Sequence, residues 1–404
     1  MIDKTLAGKK QECIKNIRFI NQRAEVEPEI LDLIEAYAGL RLEEDNEVLF
    51  YGNKITGKNR ELNEFIDKNR HLDPRALNFL ASYFLEMKKR GLKCIFSSSH
   101  LSHFLKISTK KLNWLASDKE DHYISFSEKK RGGGIRQIFA PKSTLKGIQR
   151  QILDFLLQSV PLNSHAEGFR KKRSIVTNAK RHIGKKVVIK IDAKNFFPSI
   201  TFERVLGMFV SLGYPRKVSL MLAKLTTHQG RLPTGAPTSP AISNLISRRL
   251  DKRLAGLGEK MGFDYSRYAD DMTISSNNKN ASRMIPFFKE IIREEGFESN
   301  EAKLRILRSG GRQKITGIVV NQKVNVDRKQ IKKLRATIYN CRHKDIKQEM
   351  IKWAKKEKNL KNPYGYTLKE FRASLLGKIN FVKSVNAKAG KKLLKQLDEL
   401  SLKT

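Results

Sequence analysis

Apolar residues recur every three or four positions across 29–40 and 75–87, which predicts two amphipathic helices in a mostly helical opening stretch, 1–92. Asp73-Pro74 gives the second helix a cap and a proline in its first turn. Short helical patterns follow at 101–105 and 112–116. The period then drops to two. His122 to Phe126 alternates, a basic glycine-rich run (Lys129 to Gly134) interrupts it, and Ile135 to Pro141 resumes it, so a hairpin is expected. Residues 145–157 predict one amphipathic helix, and Val187 to Ile191 is a buried-type strand closed by Asp192. A loop rich in Pro and Gly, 231–240, runs into a predicted helix at 241–254. Phe263 to Ser275 reads as two strands joined at Tyr268-Ala269-Asp270-Asp271. A helix is expected at 281–295. Two strands are expected across 305–321, the second opening on Ile315-Thr316-Gly317. From 325 the pattern is helical, at 328–338, 346–356 and 368–385.

These elements imply an α+β chain with an accessory stretch 1–92, a mixed region 93–324 and a helical region 325–404. The chain has 404 residues, 39% of them hydrophobic, with no apolar run long enough to span a bilayer. It opens on a polar, mixed segment rather than a leader, so a cytoplasmic protein is expected. Cys13, Cys94 and Cys341 are odd in number and far apart, which argues against a disulfide framework. Cys94 with His100 and His103 fits no standard zinc spacing. The formal net charge of +40 changes the picture most. So cationic a body calls for a polyanion, and nucleic acid bound through its phosphates is the expected partner. An anionic membrane is disfavoured, because no long basic amphipathic helix carries a Trp/Phe/Leu face.

Three carboxylates carry the candidate chemistry: Asp192 at a strand end, and Asp270 and Asp271 on a later hairpin. Adjacent acids raise each other's pKa, a cost that a divalent cation with oxygen ligands removes. An ordinary Asp-Asp turn, or for Asp192 a helix cap, remains the plainer alternative. Two Mg²⁺ held by such a set would activate a hydroxyl and steady a leaving pyrophosphate. The glycine hairpin brings backbone N–H groups and Arg136 near a phosphate, or is simply a solvated basic turn. Asn178 and His182, four apart, share one helical face and either serve recognition or satisfy each other. Past 325, Lys and Arg interleave with Tyr339, Trp353, Tyr364, Tyr366, Phe371 and Phe381, a pattern suited to nucleic acid.

Taken in order, the Arg136 hairpin, Ile191 to Ile200, Leu232 to Asn244, Tyr268 to Asp271 and Gly296 to Lys303 resemble the polymerase motifs of reverse transcriptases. Asn178-Ala179-x-x-His182 and Ile315-Thr316-Gly317 narrow the resemblance to bacterial retron enzymes. The resemblance implies a right-hand polymerase fold. Fingers and palm would be an antiparallel sheet with flanking helices, 325–404 a helical thumb that binds RNA or duplex, and 1–92 a helical extension. It implies that Asp192 and Asp270 hold the metals, with Asp271 in support and the Ala193 carbonyl touching a metal. Mg²⁺ would be the natural ion and Mn²⁺ a substitute. Phe197 would reject a ribonucleotide, Arg136 and Lys129 would hold the dNTP triphosphate, and Lys303 would act as general acid near the leaving pyrophosphate. Thr234, before Gly235, stands where glutamine is commoner, so its side chain would reach less far toward the nucleotide. Asn178, His182 and Thr316 would recognise RNA.

The family resemblance further implies a cognate structured non-coding RNA, priming from the 2′ hydroxyl of an internal guanosine, and a branched RNA–DNA product, msDNA. Antiphage defence, a separate effector protein and a host RNase H acting on the hybrid complete the expectation. Two alternatives stay open: another bacterial reverse transcriptase, maturase-like or defence-associated, and an RNA–DNA scaffold that restrains an effector.

Overall fold

The computed structural model describes residues 74–117, 122–129, 133–357, 360 and 362–400. The helix expected at 29–40 and Cys13 lie outside them. The described residues divide into two compact units, one within 1–162 and 195–248, the other within 163–194 and 249–404. The limits of these units differ from the 92 and 324 expected from the sequence.

The first unit carries the glycine hairpin. β1 (Tyr123–Lys129) pairs antiparallel with β2 (Ile135–Pro141), with Glu128 opposite Arg136 and Lys129 opposite Ile135. Side chains alternate along a strand, so Lys129 and Arg136 leave the hairpin on opposite faces. The helix Pro74–Lys89 buries Leu80, Tyr83 and Met87. The Tyr83 hydroxyl donates to the Ile95 carbonyl at 3.1 Å, and Arg90 reaches the Leu212 carbonyl at 3.4 Å. The chain therefore passes residue 92 without a break in packing. Cys94 and His100 serve this packing: burial pushes the Cys94 thiol up, and His100 Nδ1 accepts the Phe96 N–H.

Two predicted helices differ from expectation. The helix Ser143–Ile152 widens into a π turn, Leu153–Leu157, where the Gln158 N–H reaches back five residues to Leu153. The helix expected at 241–254 is two, Ser239–Ile246 and Arg248–Met261, with Ser247 at φ −81°, ψ 3° between them.

The second unit is built on an antiparallel sheet of order β4-β5-β3-β6: β3 is Val187–Asp192, β4 Asp264–Tyr268, β5 Asp271–Ser276 and β6 Arg305–Arg308. This is the α+β class read from the sequence. Strand alternation gives the sheet two unlike faces. One carries Val187, Ile189, Ile191, Met272, Ile274 and Tyr265, all buried. The helix Arg248–Met261 meets that face through Asp251, which takes the Tyr265 hydroxyl. The helix Ile285–Glu294, started by a 3-10 turn and Pro286, is tied to it by Arg253 and Glu295.

Among the described residues of this unit, the other face is covered at the Val188 end. There the helix Ile175–Lys180 and a small hairpin, β7 (Lys314–Ile315) and β8 (Ile318–Val319), bury Ala179, Val188, Ile315, Ile318 and Val320 together. Thr316-Gly317 is the turn of this hairpin rather than the opening of a strand. Both residues have positive φ, 45° and 91°, as a two-residue turn of this hand requires. Four helices, Arg328–His343, Ile346–Glu357, Leu368–Val385 and Ala387–Asp398, form a separate core. Trp353 and Phe371 belong to that core, which corrects their expected place among aromatic platforms. Tyr339 and Tyr364 remain exposed beside His343 and Lys355. Among the described residues no helix is long and apolar enough to cross a membrane.

Candidate active site

Register brings the distant acids together. β3 and β5 pair so that Asp192 stands directly opposite Asp271. The Ala193 N–H donates to the Asp270 carbonyl at 2.9 Å, which ties the strand end to the hairpin turn. The run from Glu298 to Lys303 closes the third side. Lys194 N–H donates to Glu298 O and Asn300 N–H to Asp192 O, both at 2.8 Å. All three carboxylates thus lie at the open end of the sheet, all in the second unit.

Their electrostatics fit a cation site. Burial raises the Asp270 pKa, and the neighbouring Asp192 charge raises it further. Burial also raises Asp271, but the Lys190 ammonium opposes the shift. Lys190 Nζ lies 2.9 Å from Asp271 Oδ2, and Lys303 Nζ lies 2.8 Å from Asp192 Oδ1. Carboxylates forced together recruit whatever positive charge is in reach. With two of the three turned toward lysines, the described residues hold no group of three His, Cys, Asp or Glu side chains already gathered at ligand spacing. The donor chemistry still suits a hard cation: oxygen ligands only, partly buried, at an open edge. Asp192 and Asp270 would hold it, with Lys303 shifting aside.

The remaining expected residues fall in two groups. In the first unit, Thr234 Oγ1 donates to the Gln137 carbonyl at 3.2 Å and Gly235 N–H to the Phe139 carbonyl at 3.0 Å. A Cβ on Gly235 would sit 2.7 Å from that Phe139 oxygen, so only glycine lets the loop lie against β2. Thr234 is thereby fixed on the hairpin that bears Arg136, and Arg136 and Lys129 are both exposed. Phe196 is buried while Phe197 is half-exposed beside it, ring centroids 5.6 Å apart.

In the second unit, the expected RNA contacts of Asn178 and His182 are corrected. Both are 0% exposed, so neither offers RNA a surface. His182 Nδ1 and Nε2 each lie 2.7 Å from a serine, Ser275 on β5 and Ser266 on β4. Ser266 gives its proton to Asn178 Oδ1 at 2.7 Å. Nε2–H must therefore donate to Ser266, and Nδ1 accepts the Ser275 hydroxyl. The pair clamps the two strands that carry the acidic turn. Thr316, half-buried, donates to the Ile175 carbonyl at 3.3 Å.

A pH test follows for this clamp. Burial pushes His182 down to about 3, from a usual value of 6.5. Below 6.5 the unfolded chain takes a proton that the folded chain refuses. This contribution is therefore intact above 6.5 and is lost as pH falls toward 3. Urea unfolding at pH 7 and pH 5 should show His182→Gln losing about 2 kcal/mol less over that interval than the parent chain. Equal losses would mean that His182 does not sit neutral in the core.

Two neighbours of the site leave no mark in the sequence. Lys190 stands inside an apolar strand. Gly168 lies against the acidic turn, and a Cβ there would be 2.6 Å from the Ala269 nitrogen. Its segment runs along β4: Arg267 N–H donates to His165 O at 2.9 Å, and Glu167 N–H to Arg267 O at 2.8 Å. The Glu167 carboxylate is buried and takes Arg173, Arg181 and Thr177.

A family model described as reverse transcriptase (RNA-dependent DNA polymerase) matches residues 128–353. The Retron Mx65 reverse transcriptase of Myxococcus xanthus is 41% identical over 245 residues, spanning 56% of this chain and 57% of that one. The Retron Mx162 reverse transcriptase of the same organism is 36% identical over 292 residues, 63% of this chain and 60% of that one. The Retron Ec86 reverse transcriptase of Escherichia coli is 35% identical over 258 residues, 63% of this chain and 81% of its own length. The chain thus matches less than two thirds of the length of the two Myxococcus proteins.

Proposed function

The chain belongs to the retron reverse transcriptases, and from that premise we propose that it is an RNA-directed DNA polymerase acting on its own non-coding RNA. The observation that carries the reading is the pairing of Asp192 with Asp271, with Asp270 held alongside through Ala193. Such a set at an open sheet end suits phosphoryl transfer, where positioning and charge stabilisation do most of the work. A pair of Mg²⁺ ions, or Mn²⁺ in their place, would supply Lewis acidity at the attacking hydroxyl and the leaving pyrophosphate.

In this reading Asp192 and Asp270 would hold the ions, with the Ala193 carbonyl beside them at the end of β3. Asp271 keeps its charge paired with Lys190 and supports the turn. Lys303, released from Asp192, gives its proton to the departing pyrophosphate. Arg136 carries the triphosphate role, Thr234 and Gly235 beside it the nucleotide contact, and Phe197 the sugar gate. The helices between Arg328 and Asp398, with exposed Tyr339 and Tyr364 among the lysines of this region, grip duplex through its phosphates. Priming is from an internal guanosine 2′ hydroxyl, the product is branched msDNA, and a host RNase H trims the template. Antiphage defence with a separate effector protein is the role we infer from the same membership.

The decisive experiment is to purify the full-length protein from its native locus and sequence the nucleic acid that comes with it. A DNA 5′ end joined 2′–5′ to RNA is expected. Recovery of RNA with no attached DNA, from protein that incorporates dNTPs on a supplied template, would replace the branching reading with a linear one.

A further inference from the structure

The acidic turn contains a conformation that needs holding. Ala269 has φ 59°, a left-handed value that a residue with a Cβ rarely adopts. Its peptide with Asp270 sets where the Asp270 carboxylate stands. One flank of Asp270 is fixed by Ala193 N–H on the Asp270 carbonyl at 2.9 Å. The other flank is met by Arg267, whose Nη1 donates to the Ala269 carbonyl at 3.1 Å.

Arg267 is itself held in place. Its Nε and Nη2 donate to Asp251 Oδ1 and Oδ2 at 2.8 and 2.7 Å, a two-pronged pair on the helix beneath the sheet. The Tyr265 hydroxyl donates to the same Oδ1 at 2.8 Å. The side chains of Arg267 and Asp251 are 1% and 0% exposed. A buried ion pair is a poor device for stability alone, since well-packed apolar residues commonly do as well. What an apolar pair cannot do is donate a hydrogen bond to the Ala269 carbonyl.

We propose that Arg267, oriented by Asp251 and Tyr265, is a positioning residue that holds the left-handed Ala269 peptide and thereby aims Asp270. The proposal rests on the polymerase reading for its consequence and on the hydrogen bonds alone for its geometry. The test therefore includes a readout independent of catalysis.

The first variant replaces the pair together, Arg267→Met with Asp251→Leu, so that no charge is stranded in the core. The second, Arg267→Lys, keeps a cation beside Asp251 but lacks the planar fork. Each is measured as the full chain for melting temperature, for kcat and KM of dNTP on an RNA template with a DNA primer, and for amide exchange at Ala193 without metal. The expected result is a melting temperature within a few degrees of the parent. The dNTP KM should stay within threefold, kcat should fall tenfold or more, and the Ala193 amide should exchange at least tenfold faster. Parental kcat and exchange in either folded variant would overturn the proposal. If the double variant fails to fold, Arg267→Lys decides alone. A parent chain that incorporates no dNTP, yet loses Ala193 protection on Arg267→Lys, would sink the polymerase reading and leave the positioning role standing.

Discussion

Asp270→Asn should lower dNTP incorporation by on the order of 10³-fold or more while leaving RNA retention within about twofold. Asparagine keeps the size and one carbonyl oxygen, so the turn and its bond from Ala193 survive. The charge is what goes. A divalent cation contributes several kcal/mol of charge stabilisation to phosphoryl transfer, and about 4 kcal/mol corresponds to a factor of 10³. Asp192→Asn should behave alike, and would also free Lys303. Asp271→Asn should cost less, because Asp271 is already paired with Lys190. Retention is spared because phosphates are held by Lys and Arg spread over a chain of net charge +40. The measurements are primer extension under saturating template and filter binding of the same RNA. Extension within tenfold of the parent would remove Asp270 from the metal site.

Gly168→Ala should cost about 10²-fold in incorporation and about 1–3 kcal/mol in stability. The new methyl would stand 2.6 Å from the Ala269 nitrogen and 3.2 Å from the Tyr268 carbonyl carbon. Both are backbone atoms, so no side chain can swing away. Either the 163–168 segment lifts from β4 or the acidic turn moves. Catalysis falls as well because a displacement of about 1 Å at a reacting group is enough for a 10²-fold loss. Gly147→Ala is the control: it lies in the helix Ser143–Ile152, nothing approaches a Cβ within 4 Å, and the change should stabilise by about 1 kcal/mol. Equal kinetics for the two variants would mean that the turn does not depend on its neighbour.

The parts of the site that were legible beforehand were those written in local pattern. An apolar run closed by Asp192, and two acids between alternating strands, announced both strand ends. Antiparallel pairing then did the rest. The Thr316-Gly317 turn was misplaced because threonine is an unusual occupant of a position with positive φ. Asn178 and His182 gave either reading until Ser266 and Ser275 were known to face them. Those serines are polar residues on a covered sheet face, where alternation alone suggests solvent. Arg267 left no mark at all, being one of 81 Lys and Arg residues. Only its partner sixteen positions earlier, on a helix, distinguishes it from the basic background. Gly168 was equally silent, since close approach between backbones has no sequence period.

The segment laid along β4 has one more effect. An open strand at the border of a sheet invites any extended polypeptide to join it. On the β4 side that invitation is withdrawn, because His165 and Glu167 already use the Arg267 backbone groups. The opposite border, β6, is four residues long and has arginine at each end. A cationic chain crowded by its neighbours during synthesis therefore offers little to a stray strand, and self-association should begin elsewhere than at the catalytic sheet.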